Sequence, residues 1–154
     1  VGMAIAAKLS GDSYRVYTLL GDGEIQEGQV WEAAMLAAHR KLDNLVVIVD
    51  NNNLQIDGAI DDVNSPYPID KKFEAFNFHV INIDGHDFDA IAAAFKEARE
   101  TKGQPTAIIA KTVKGKGVSF MENQASWHGA APNDEQYEVA MADLEKVGEA
   151  LCQK

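Results

Sequence analysis

Residues 14–53 read YRVYTLLGDGEIQEGQVWEAAMLAAHRKLDNLVVIVDNNN, and the fold follows from how the spacing of their apolar residues changes. Tyr14 to Leu20 is β-rich and stops at Gly21-Asp22-Gly23. Glu24 to Leu42 is Ala-rich, with Ile25, Trp31, Met35 and Leu42 at roughly helical spacing, which predicts a helix. Leu45-Val46-Val47-Ile48-Val49 is apolar without alternation, the pattern of a strand covered on both faces. Strand, helix and strand in that order predict a right-handed βαβ unit in a parallel sheet.

Outward from this unit the alternation continues. Asn51 to Pro68 is polar and turn-rich, Asp70 to Phe76 fits a short helix, and Val80 to Ile83 fits a third strand. Asp87 to Lys102 reads as an amphipathic helix whose start Asp87 can cap, and Thr106 to Ala110 as a fourth strand. A Gly/Lys loop at 114–117 and an irregular stretch around Trp127-His128-Gly129 lead to a helix over Asp134 to Leu151. At the other end, Val1 to Leu9 reads as the body of a helix stopped by Gly11. No cap residue and no initiator Met precede it, so absent upstream sequence is expected. The expected fold class is α/β, a parallel β-sheet with flanking helices, as a single domain over residues 1–154.

With 46% hydrophobic and 25% charged residues the composition suits a soluble globular chain. The net charge of −10 argues against a nucleic-acid partner, because phosphate backbones need a positive stripe. A phosphate ligand remains open, since a bound metal or converging backbone N–H groups reverse the field locally. Cys152 is the lone cysteine, which excludes an internal disulfide framework and a cysteine zinc cluster. The apolar run Val1 to Ala7 is too short to span a bilayer and lacks the pattern of a signal peptide. A cytoplasmic location without a membrane partner is therefore expected.

Ligands of open parallel sheets bind at the carboxyl ends of strands. Two such ends are Gly21-Asp22-Gly23 and Asp50-Asn51-Asn52-Asn53. Neighbouring strands bring Asp22 and Asn52 together although residues 23 to 51 separate them. Mg²⁺ takes about six oxygens and draws some from phosphates and water, so one carboxylate and one amide suit a cation that also holds a diphosphate. The glycines beside Asp22 let phosphate oxygens approach N–H groups near a helix start. Taken singly, a Gly-Asp-Gly or an Asn-rich strand end is an ordinary turn; the combination carries the reading.

GDG followed, after a helix and a strand, by NN is the motif of thiamine-diphosphate enzymes. The wording GDGEIQEGQVWEAAMLAAHRKLDNLVVIVDNNNLQIDG resembles transketolase, and KTVKGKGVSFMENQASWHGAAP extends the similarity over nearly the whole chain. The resemblance implies the thiamine-diphosphate-binding (PP-type) fold in part, as the C-terminal portion of the domain that grips diphosphate and Mg²⁺. It implies that Asp22 and Asn52 bind Mg²⁺ through side-chain oxygens and Leu54 through its carbonyl. Gly21, Asp22 and Gly23 would form the diphosphate turn, with the Gly23 N–H on the diphosphate. Ile56 would pack on the thiazolium, Glu27 would lie near a subunit interface, and His128 beside the diphosphate and the substrate oxygen, where imidazole donates hydrogen bonds or moves protons.

The activity so implied is transfer of a two-carbon ketol unit between sugar phosphates, as in the pentose phosphate pathway. The residues near Phe120-Met121-Glu122-Asn123 resemble the N-terminal subunit of split transketolases. That implies a partner in the form of a separate C-terminal, pyrimidine-binding subunit, with this chain inactive by itself. A homo-oligomer is also expected. The weaker alternatives are 1-deoxyxylulose-5-phosphate synthase, a 2-oxoacid dehydrogenase component, and a non-catalytic assembly module that keeps the fold. His39, His79 and His86 are expected to be surface or structural, and Lys111 to Gly117 a solvated turn.

Overall fold

A computed structural model describes residues 1–152. In chain order the elements are α1 (Gly2–Ser10), β1 (Val16–Gly21), α2 (Gly28–His39) and β2 (Leu45–Asn51). There follow a hairpin of β3 (Leu54–Gln55) and β4 (Gly58–Ala59), the short α3 (Ile60–Val63), and α4 (Ile69–Ala75). The chain continues through β5 (His79–Asp84), α5 (Phe88–Glu100), β6 (Thr106–Lys111) and α6 (Asp134–Cys152). The expected parallel sheet is present, ordered β1-β2-β6-β5.

That order decides which face each helix covers. The chain steps from β1 to β2 in one direction and returns from β5 to β6 in the other. Right-handed crossovers then send α2 and α5 to opposite faces. The two cores agree with this rule. Ala34 and Ala37 of α2, Phe73 of α4 and Ala4 of α1 share one cluster with Val47, Val49 and Ile109. Ala94 and Ala98 of α5 pack in the other with Val46 and Ile108. On the α2 side Trp31 lies 5.1 Å from Phe73 and 5.3 Å from Phe76, ring centre to centre, which joins α2 to α4. β2 is buried from both faces, and its uninterrupted apolar run is the consequence.

One expected element is divided. The helix read over Glu24 to Leu42 begins as a 3₁₀ turn at Glu24–Gln26, is broken at Glu27 (ψ 127°), and becomes α2 only at Gly28. The Glu24 carboxylate accepts from the Gly21 N–H (3.1 Å), and the Trp31 indole N–H donates to the Ile25 carbonyl (2.8 Å). These two bonds hold the tight turn against continuation as α-helix. At its far end α2 closes with Lys41 at φ 51° and the Leu42 N–H on the Ala37 carbonyl. This Schellman closure buries Leu42.

The strand ends are aligned. Gly21 pairs with Asp50, Asp50 with Ala110, and Ile83 with Ala110, so Asp22, Asn51–Asn53 and Thr112 emerge at one edge of the sheet.

Candidate functional site

Asp22 is the centre of this edge. It is 1% exposed, and its main-chain N–H donates to the Asp50 carbonyl (3.2 Å), which carries the β1–β2 ladder one residue past the strand. Its side chain is asymmetric. Oδ2 accepts from the Asn51 side-chain amide (3.0 Å) and from the Asn53 N–H (2.6 Å). Oδ1 is buried without any partner. An acceptor in that state costs roughly 1–3 kcal/mol or more, and such groups in folded proteins call for a reason. Burial pushes the Asp22 carboxyl above the ordinary aspartate range, against the opposing bonds from Asn51 and Asn53, and the Asp50 charge adds to the rise.

Asn52, expected as a cation ligand beside Asp22, lies at the same edge and makes no hydrogen bond to it. Asn51 makes one instead, and its amide also donates to the Tyr67 hydroxyl (2.5 Å). In Asn52, Nδ2 donates to Asp50 Oδ2 (3.2 Å) and Oδ1 accepts from the Leu54 N–H (3.0 Å). Leu54 starts the hairpin, at whose tip Ile56 is 69% exposed. The turn leaves little room at Gly23, where a Cβ would stand 2.9 Å from that of Gln55.

Glu27 and His128 are exposed. Glu27 occupies the N-cap of α2 without making a side-chain cap bond. His128 closes the 3₁₀ turn Ala125–Trp127 with its N–H on the Ala125 carbonyl (2.9 Å). His86 is tied down rather than free: its Nε2 accepts from the Val113 N–H (2.8 Å) at the start of the Gly/Lys loop.

A divalent cation fits what Asp22 presents. Its unpartnered Oδ1, the Asn52 amide oxygen and a main-chain carbonyl at Leu54 are hard oxygen donors carrying one negative charge between them. A cation against Oδ1 would offset the desolvation that raises the carboxyl. Among the described residues no three His, Cys, Asp or Glu side chains gather into a metal cage, so the remaining ligands would have to come from phosphate oxygens and water. Sequence reasoning missed Asn51, Tyr67, Asp50 and Thr112. The Asn-rich strand end was visible, but nothing local tells which of three consecutive asparagines faces Asp22.

Comparison with known proteins gives the family and the fold. Residues 4–146 match the family model described as transketolase, thiamine diphosphate binding domain. The chain is 43% identical over 148 residues to the 6-deoxy-6-sulfo-D-fructose transketolase subunit SqwG of Clostridium sp. (strain MSTE9), covering 96% of this chain and 54% of that one. It is 44% identical over 144 residues to one of the subunits of the apulose-4-phosphate transketolase of Actinobacillus succinogenes, covering 94% and 52%. It is 49% identical over 132 residues to human transketolase, covering 83% and 20%. Among solved structures, Campylobacter jejuni transketolase superposes with a TM-score of 0.86 at 36% identity, over 92% of this chain and 23% of the other. The chain thus spans about half the length of the two subunit relatives.

Proposed function

This chain belongs to the transketolase family, in its thiamine-diphosphate-binding domain, and from that premise we propose that it supplies the diphosphate-and-Mg²⁺ half-site of an enzyme moving a two-carbon ketol unit between sugar phosphates. The observation that carries the reading is the buried, unpartnered Oδ1 of Asp22 at the carboxyl edge of a parallel sheet. In the reading, Asp22 and Asn52 hold Mg²⁺ through side-chain oxygens and Leu54 through its carbonyl. Gly21 and Gly23 leave the turn open to the diphosphate, with the Gly23 N–H directed to it. Ile56, exposed at the hairpin tip, covers the thiazolium. When bound, thiamine diphosphate supplies the carbanion chemistry, and the protein supplies orientation and electrostatics. His128 donates a hydrogen bond or a proton beside the diphosphate and the substrate oxygen. Glu27, exposed at the start of α2, lies toward a subunit interface.

The partner in this reading is a C-terminal, pyrimidine-binding subunit, supported by the relatives named as transketolase subunits. The related subunits are named for a sulfosugar and a sugar phosphate, which favours a substrate with an anionic end. The assembled enzyme is a homo-oligomer of such pairs. It works in the cytoplasm, in reactions of the pentose phosphate type. Among the described residues no helix is long and apolar enough to cross a membrane.

The test is calorimetric titration of thiamine diphosphate with Mg²⁺ into the wild-type chain and into Asp22→Ala, each alone and with the complementing subunit. Saturable, Mg²⁺-dependent binding in the wild type and its loss by at least about 100-fold in the variant are expected, since a direct ligand is removed. Absence of binding under both conditions would sink the reading.

A further inference from the structure

We propose that Asp50 and Thr112 are positioning residues that set the amide of Asn52 for the cation, through a relay from the loop after β6 to the end of β2. The inference rests on the half-site reading and adds to it two residues that touch neither cofactor nor cation.

Asp50 stands in β2 between Gly21 on one neighbour and Ala110 on the other, one residue before Asn51. Its two oxygens have separate tasks. Oδ1 accepts from the Thr112 hydroxyl, and Oδ2 accepts from Asn52 Nδ2 at 3.2 Å. A carboxylate offers acceptors only, so it draws the NH₂ edge of the Asn52 amide toward itself. The opposite edge, Oδ1, therefore faces away from Asp50, where the Leu54 N–H meets it at 3.0 Å and a second lone pair is left over. The two edges of an amide are nearly the same shape, so packing alone discriminates poorly between them. The acceptor at Asp50 makes one orientation much the better.

Thr112 is itself fixed on three sides. Its N–H donates to the Asn51 carbonyl (3.2 Å), and its hydroxyl holds Asp50. Its Cγ2 fills the place at Gly85 where any Cβ would come within 2.5 Å. The next residue, Val113, gives its N–H to His86 Nε2, which clamps the loop to the turn between β5 and α5. The two proposed side-chain ligands thus have separate anchors. Asn51 and the Asn53 N–H set Asp22, while Asp50 and Thr112 set Asn52.

Thr112→Val removes the hydroxyl and keeps the shape, whereas Thr112→Ser keeps the hydroxyl. Mn²⁺ binding, followed by electron paramagnetic resonance at saturating thiamine diphosphate with the complementing subunit present, is expected to weaken about 10- to 100-fold in Thr112→Val and Asp50→Asn. It should stay within about threefold of wild type in Thr112→Ser, the spread of a retained hydrogen bond. In the cation-free chain, the two Asn52 side-chain amide protons should be resolved and slow to exchange by NMR in wild type and Thr112→Ser, and should lose that protection in Thr112→Val. A purely structural role for Thr112 would lower the melting temperature without selecting the Asn52 amide. Wild-type Mn²⁺ affinity and Asn52 signals in Thr112→Val, or an equal loss in Thr112→Ser, overturn the relay while leaving the half-site standing. Failure of the wild type to bind Mn²⁺ and cofactor at all overturns both.

Discussion

At the scale of the residue, Asp22 keeps a carboxyl buried at a cost to folding. Its carboxyl is raised by burial more than its hydrogen bonds lower it, so the charged form is stored at a cost in stability. The sign follows from proton linkage. Between the ordinary aspartate value and the raised one, the folded state binds more protons than the unfolded state, so stability falls as pH rises through that window. Below the window the contribution is fully present. Asp22→Asn removes the charge and keeps an oxygen for Asn51 and the Asn53 N–H, at the cost of an unpaired NH₂ where Oδ1 stood. We expect it to stabilise the cation-free chain at neutral pH by about 1 kcal/mol in urea melts and to flatten that part of the pH dependence. The same variant should bind no Mg²⁺, because the amide nitrogen is no ligand for it. A variant less stable than wild type at neutral pH would show that the unpaired NH₂ costs more than the buried charge it replaces.

At the scale of the element, the joints between helices and strands were less legible than the elements themselves. Gly11 was readable as the stop of α1 because glycine is at ease at φ 76°. The same closure at Lys41 (φ 51°) and Asn77 (φ 62°) is made by residues that pay for the left-handed conformation. There the buried residue that follows, Leu42 or Phe78, drives the turn, and burial of that residue is a tertiary event. Asp87 as the cap of α5 was readable, and its Oδ1 accepts from the Asp89 and Ala90 N–H groups. Asp43 is the comparable joint that no local pattern announces. It receives Lys8 Nζ from α1 (2.7 Å) and the Gly103 N–H before β6 (2.9 Å), from 35 and 60 residues away. Burial raises its carboxyl, but the Gly103 N–H and Lys8 outweigh that and hold it below the ordinary range. Its contribution is therefore present above the ordinary aspartate value and lost as pH falls through the lowered one. Asp43→Ala is expected to cost about 1–2 kcal/mol in denaturant melts at neutral pH and nothing once both states are protonated. An equal loss at low pH would assign the effect to packing.

At the scale of the whole molecule, β1 and α6 are among the elements that leave large apolar side chains uncovered. β1 is an edge strand, with Leu19 66% and Tyr17 46% exposed, and a groove of about 390 Å³ runs beside it between Met3, Val30 and Leu20. α6 keeps only Ala140 buried and leaves Tyr137, Met141, Leu144 and Leu151 open. Apolar surface on that scale favours association. Sedimentation of the chain is expected to give a mass above the 16.8 kDa of one copy that rises with concentration. A concentration-independent monomer would show that these faces tolerate water.

The sequence by itself determined the α/β class, the parallel sheet and the Gly-Asp-Gly and Asn-rich strand ends, because period and turn chemistry are local and strands buried on both faces cannot alternate. It also placed Asp22 and Asn52 at one edge, since a βαβ unit brings successive strands side by side. Only the tertiary structure decided that Asn51 hydrogen-bonds Asp22, that Asp50 and Thr112 turn the Asn52 amide, and that Glu24 to Leu42 breaks at Glu27. The contacts of Asn51 and Thr112 depend on which partner a strand from a distant part of the chain brings within about 3 Å, the reach of a hydrogen bond, whereas the break at Glu27 rests on two short-range bonds whose geometry the apolar period does not carry. Sequence spacing carries the order of such partners but not their orientation.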